Sequence, residues 1–266
     1  MSEAKTVLKA SDISIVFGGL RAVSNFSCEL KQNELVGLIG PNGAGKTTVF
    51  NMLSGVYRPT EGQISFWDKN DIVRVINKDT PAKHNRIGIA RTFQNIRLFS
   101  QMSVADNVRV VLHSNRIVNP VDVLLRTPRF FRDEERMTSE VESLLDLFKI
   151  LNKKDELAKN LPYGEQRKLE IVRALASKPA LLLLDEPAAG MNPQETEDLM
   201  NLIAFIREKF NLTILLIEHD MRLVMGICER IIVLDYGRII AEGKPEEIQS
   251  NPQVIKAYLG EEAVNA

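Results

Sequence analysis

The eight residues Gly40-Pro41-Asn42-Gly43-Ala44-Gly45-Lys46-Thr47 constrain what this chain can fold into more than any other part of it. They fit the pattern G-x-x-x-x-G-K-[ST]. Residues 34–40 form a nearly continuous apolar strand running into the turn, and residues 46–53 read as a helix leaving it. The glycines let backbone N–H groups close around an anion, and the helix N-terminus adds positive potential, so the segment suits phosphate oxygens. Lys46 is then a point charge for the β- and γ-phosphates of a nucleotide, and the Thr47 hydroxyl is placed to ligate Mg²⁺. Thr48, next on the helix, belongs to the same nucleotide-binding set.

The rest of the chain supplies the sheet that such a loop needs. Residues 7–17 and 23–30 alternate apolar and polar side chains around Gly18-Gly19, and residues 63–67 and 88–93 add further strands. Residues 180–184, 213–217 and 230–235 are buried-type strands alternating with helices, the pattern of a parallel sheet covered by helices. Asp235-Tyr236-Gly237 suggests a closing hairpin with residues 238–241. Residues 102–159 change to a helical pattern, clearest over 103–112 and 137–150, with Asn119-Pro120 and Thr127-Pro128 interrupting any longer helix. The expected architecture is an α/β core with a mostly helical insertion.

Leu181-Leu182-Leu183-Leu184 ends in Asp185-Glu186. Side chains alternate along an extended backbone, so neighbouring carboxylates point apart and can take separate roles. Asp185 suits the Mg²⁺ shell, commonly through water, and Glu186 suits polarising an attacking water. A solvated turn is the plain alternative for two adjacent acids, and the phosphate loop upstream favours the functional one. His219, one strand further on, can reach a γ-phosphate from the C-terminal end of its strand, and Gln94 stands at the corresponding end of its own.

Bulk properties narrow the class. Of 266 residues, 44% are hydrophobic and 26% charged with a formal net charge of −1, so the chain offers no global basic field to hold nucleic acid. Cys28 and Cys228 are far apart in sequence and read as two unpaired, buried thiols in a reducing compartment. The first residues show no apolar signal segment, and the longest apolar runs are strand-length, so a soluble or peripheral protein is expected.

Taken together these segments resemble the ATP-binding cassette of ABC transporters over nearly the whole chain. The resemblance implies a single domain, 1–266: a P-loop NTPase core at about 1–94 and 178–266 with an antiparallel β subdomain, and a helical subdomain at about 95–177. It implies that Phe17 stacks on adenine, with plain strand packing as the alternative, that Gln94 joins Thr47 and Asp185 around the metal, and that Glu186, Gln94 and His219 serve hydrolysis of ATP. The family's signature segment, usually L-S-G-G-Q, reads here Leu161-Pro162-Tyr163-Gly164-Glu165-Gln166, ahead of a helix expected over 165–176. Leu161, Tyr163, Gly164, Glu165 and Gln166 would complete the nucleotide site of a second subunit, without the hydroxyl that Pro162 replaces.

A closer resemblance is to the larger ATP-binding subunit of branched-chain amino acid importers. It is carried by Arg91-Thr92-Phe93-Gln94, the signature segment, residues 186–193, Ile217-Glu218-His219-Asp220-Met221 and the tail 251–260. It implies ATP and Mg²⁺ as cofactors and a second ATP-binding subunit, integral permease subunits and an extracellular or periplasmic substrate-binding protein as partners. The implied place is peripheral, on the cytoplasmic side of the inner membrane. An exporter of lipid or polysaccharide is the alternative within transport. Single-cassette length, no sustained heptads and near-neutral charge weigh against a DNA-repair or translation cassette. Residues 114–136, with Val121-Asp122-Val123-Leu124-Leu125 and Phe130-Phe131 among arginines, read equally as a partner- or membrane-facing patch and as a helical hairpin packed on its own subdomain.

Overall fold

The structure, a computed structural model, describes residues 5–68, 71–114, 125 and 127–259. Its contacts divide the chain into one unit of Met1–Gln94 with Ala180–Ala266 and another of Asn95–Pro179.

The first unit holds two sheets. One is antiparallel, ordered β2-β1-β4-β5, from β1 (Thr6–Phe17), β2 (Leu20–Lys31), β4 (Glu61–Trp67) and β5 (Val73–Val75). Gly18 and Gly19, both at positive φ, make the β1–β2 turn. The other sheet is ordered β10-β9-β3-β8-β7-β6, from β3 (Leu35–Ile39), β6 (Ile89–Arg91), β7 (Leu181–Asp185), β8 (Thr213–Ile217), β9 (Arg230–Asp235) and β10 (Arg238–Gly243). Its strands run parallel except β10, which closes the hairpin with β9. Every residue of β3, β7 and β8 is buried, as strands covered on both faces must be.

Phe26, Phe50 and Phe66, all fully buried, join Leu38, Leu183 and Leu215 in one apolar core that draws on both sheets. Burial of each such phenylalanine contributes about 1.5–3 kcal/mol. Helices α1 (Lys46–Leu53) and α2 (Pro81–Ile87) belong to this unit. Cys28 and Cys228 are free and buried, and burial pushes both thiols up to about 12.

In the second unit α3 (Val104–Ser114) packs against both α4 (Pro128–Leu147) and α5 (Tyr163–Leu175). Two boundaries differ from the sequence expectation, each at a proline, which cannot sit in a helix interior. Thr127 caps α4, its hydroxyl accepting from Phe130 N, with Pro128 in the first position, so the helix begins well before residue 137. Likewise Pro162 is the N-cap of α5, which begins at Tyr163 rather than at 165. Of the apolar–basic segment, 115–124 and Arg126 lie outside the described residues; Leu125 is exposed, and the Phe130 and Phe131 rings meet edge to face on α4.

Back in the first unit, α6 (Pro193–Phe210) opens on a capping box: Asn192 Oδ1 accepts from Glu195 N while the Glu195 carboxylate accepts from Asn192 N. Three shorter helices follow, α7 (Met221–Ile227), α8 (Pro245–Gln249) and α9 (Pro252–Leu259).

Candidate functional site

Sheet order explains why distant sequence segments meet. The strands β3, β8, β7 and β6 are consecutive neighbours, all parallel. The chain leaving their C-terminal ends carries the phosphate loop after β3, His219 after β8, Asp185-Glu186 at the end of β7 and Gln94 after β6. Ligands of open α/β sheets gather at that edge.

The loop 40–47 is held by its glycines. A Cβ on Gly40 would lie 2.1 Å from Leu234 O, so the loop starts flush against β9. Gly45, at φ 101, is the N-cap of α1, where no side chain caps the helix and the first turn has no acid. The orphan N–H groups of that turn therefore favour an anion. Lys46 is buried and its Nζ donates to Gly40 O at 2.6 Å and Pro41 O at 3.0 Å. Burial pushes its ammonium below the usual lysine range, and the charges of Glu186 and Asp185 oppose that. Ala44 is buried, Thr48 is half-buried, and Asn42, Gly43 and Thr47 are exposed.

Asp185 is fixed by Arg91, the last residue of β6, whose Nη2 donates to Asp185 Oδ2 at 2.7 Å with both side chains over nine-tenths buried. Nη1 of Arg91 donates to Asn51 Oδ1 at 2.7 Å and Ser54 Oγ at 2.9 Å, tying the phosphate-loop helix to the same carboxylate. The Phe93 and Phe50 rings lie beside its guanidinium, with centroids at 5.0 and 5.6 Å.

Glu186 turns the chain out of β7 at φ 47, a left-handed conformation that costs a non-glycine residue about 1–3 kcal/mol. There its Oε2 accepts from Gln94 Nε2 at 2.6 Å, and its Oε1 lies 2.6 Å from His219 Nε2. Gln94, Glu186 and His219 are thus one hydrogen-bonded cluster beside Asp185. Phe17, at the end of β1, is exposed and meets the exposed Tyr57 ring edge to face at 5.2 Å.

In the second unit, Glu165 N and Gln166 N both donate to Pro162 O, and Gln166 Nε2 donates to Leu161 O at 2.8 Å. Gly164 lies in the first turn of α5, Tyr163 is exposed, and Glu165 pairs with Lys153 at 2.6 Å.

Arg91, Tyr57 and Glu218 also stand about the site, in roles that their positions in the sequence do not show. A lone arginine at the end of an apolar strand is a signal in itself, since a buried guanidinium needs partners.

Hydroxyl, amide and carboxylate oxygens suit a hard cation. Among the described residues no group of three or more His, Cys, Asp or Glu could hold a metal. A small donor set completed by phosphate and water is how Mg²⁺ binds, so Thr47, Gln94 and Asp185 fit that ion.

Residues 23–189 match the family model described as ABC transporter, and residues 238–264 the one described as branched-chain amino acid ATP-binding cassette transporter. The chain is 46% identical over 259 residues, 97% of its length and 99% of the relative's, to the high-affinity branched-chain amino acid transport ATP-binding protein LivG of Escherichia coli K12. It is 44% identical over 258 residues (97% and 99%) to the corresponding protein BraF of Pseudomonas aeruginosa PAO1. At 34% over 259 residues (97% and 98%) it matches the lipopolysaccharide export system ATP-binding protein LptB of Haemophilus influenzae. Among solved structures, the ADP conformation of MJ1267, an ATP-binding cassette of an ABC transporter, superposes with a TM-score of 0.81 at 29% identity, over 96% of this chain and 99% of that one.

Proposed function

The chain belongs to the ABC transporter family of ATP-binding cassettes, and on that premise we propose that the cluster at the strand ends hydrolyses ATP to drive import of branched-chain amino acids. One observation carries the chemistry: Gln94 and His219 converge on the two oxygens of Glu186 beside the phosphate loop.

In this reading Lys46 exchanges its contacts with two loop carbonyls for β- and γ-phosphate oxygens, and the uncapped first turn of α1 adds its N–H groups. Thr47, Gln94 and Asp185 would hold Mg²⁺, which would supply positive charge against the phosphate oxygens. Arg91 fixes Asp185 for that task. Glu186 orients and polarises the attacking water, and His219 contacts the γ-phosphate while steadying Glu186. Phe17 presents a ring to adenine, with Tyr57 supporting it edge-on. Gly40, Pro41, Asn42, Gly43, Ala44, Gly45 and Thr48 complete the nucleotide contacts. Leu161, Tyr163, Gly164, Glu165 and Gln166 complete the site of a second cassette at and just before the start of α5, Pro162 offering no hydroxyl.

Among the described residues no helix is long and apolar enough to cross a membrane. Transport therefore requires integral permease subunits, with this chain peripheral at their cytoplasmic face and a substrate-binding protein delivering the amino acid. Identity of 46% to a branched-chain amino acid transport protein against 34% to an export protein favours import. The test is uptake of labelled leucine, isoleucine and valine by cells whose copy of this gene is deleted. Wild-type sequence restores uptake and Lys46→Ala does not; uptake indifferent to the deletion overturns the substrate assignment.

A further inference from the structure

Glu218 is a carboxylate with no place in the chemistry above, yet it is 3% exposed and lies next to His219. Its bonds are to backbone. Oε1 accepts from Ala188 N at 2.7 Å and Oε2 from His219 N at 3.0 Å. Burial pushes this carboxyl above the usual carboxylate range, the amides of Ala188, His219 and Asp220 pull it down, and Glu186 pushes it up again. An acid taken out of water next to a like charge is a poor way to fill core volume.

Ala188 is the second residue after Glu186, so Glu218 spans from the chain leaving Glu186 to the loop carrying His219. Glu186 needs such a restraint, because its left-handed backbone is strained and the surrounding structure must over-determine it. On the near side, Glu186 N donates to Ile217 O at 2.9 Å. On the far side the tie is the Ala188–Glu218 bond. The loop is anchored beyond His219 by Asp220, whose Oδ1 accepts from Arg222 N and Leu223 N to cap α7.

We propose that Glu218 is a positioning residue: it clamps the segment after Glu186 to the loop of His219 and so sets the 2.6 Å approach of those two side chains. This rests on the reading that Glu186 and His219 carry the hydrolysis. A misplacement of about 1 Å at reacting groups costs on the order of a hundredfold in rate while leaving remote binding contacts intact.

The experiment compares the full chain carrying Glu218→Gln, Glu218→Ala or Glu186→Gln with wild type. It measures Mg-ATP affinity by calorimetry, steady-state kcat and KM, and the apo melting temperature. Glu218→Gln keeps the shape but replaces one acceptor oxygen by an amide donor facing a backbone N–H. Its kcat is expected to fall roughly 10- to 100-fold with Mg-ATP affinity within about twofold of wild type. Glu218→Ala should fall at least as far; if it melts below the assay temperature, Glu218→Gln decides. Inactive Glu186→Gln alongside wild-type turnover in the Glu218 variants overturns the clamp alone. The same holds if melting temperature and affinity drop while kcat is unchanged. Wild-type turnover in Glu186→Gln overturns the catalytic reading and the clamp with it.

Discussion

Arg91 meets Asp185 in a site that excludes water from both, and this sets what its loss must cost. Arg91→Met leaves a buried carboxylate without its cation, and breaking such a pair destabilises by about 3–5 kcal/mol. Urea denaturation of the two proteins measures it; a loss under about 1 kcal/mol would mean that the pair is solvated in solution. Residues of this kind divide by how far away their partners are in sequence. Lys46, Thr47, Asp185 and Glu186 were legible because their chemistry is written in spacing of a few residues beside a strand. Arg91 and Glu218 were not, because their meaning lies in partners 94 and 30 positions away that only the sheet order brings near. Tyr57 escaped in the same way, since it matters only once the end of β1 places Phe17 against it.

At the scale of elements, the buried strands were legible from unbroken apolar runs, and the helix after the phosphate loop from its position. The short pieces were not. β5 is three exposed residues on a sheet edge, and α2 is a polar segment whose single buried side chain, His84, is not an apolar signal. That histidine gives α2 a measurable property. Its ring lies between Leu53 O at 3.1 Å and Ile76 O at 3.3 Å, and burial, outweighing both carbonyls and Asp79, depresses its pKa below the usual 6.5. The folded state then binds fewer protons than the unfolded one. The stability due to the neutral ring is present above about pH 6.5 and is lost as pH falls from there toward the folded value, by at most about 1.4 kcal/mol per pH unit. Urea titrations from pH 7.5 to 5 should show a slope that His84→Phe flattens; an unchanged slope in the variant would assign the loss to other groups.

For the molecule as a whole, the first unit contains every residue assigned to holding and cleaving the nucleotide, and the second contains the signature start of α5. The parallel order β3-β8-β7-β6 is what makes this a single site, since it lines up four chain segments from residues 40 to 219 at one sheet edge. Its output must pass to membrane subunits. Glu186, held by Gln94 and His219, performs in the proposed function the hydrolysis that powers them, and Glu186→Gln isolates that role. The amide keeps size and hydrogen bonding but loses the carboxylate that orients water. The full chain with this substitution should bind Mg-ATP as wild type does while turnover falls by roughly 10²-fold or more. Turnover at the wild-type rate with binding intact would remove Glu186 from the chemistry.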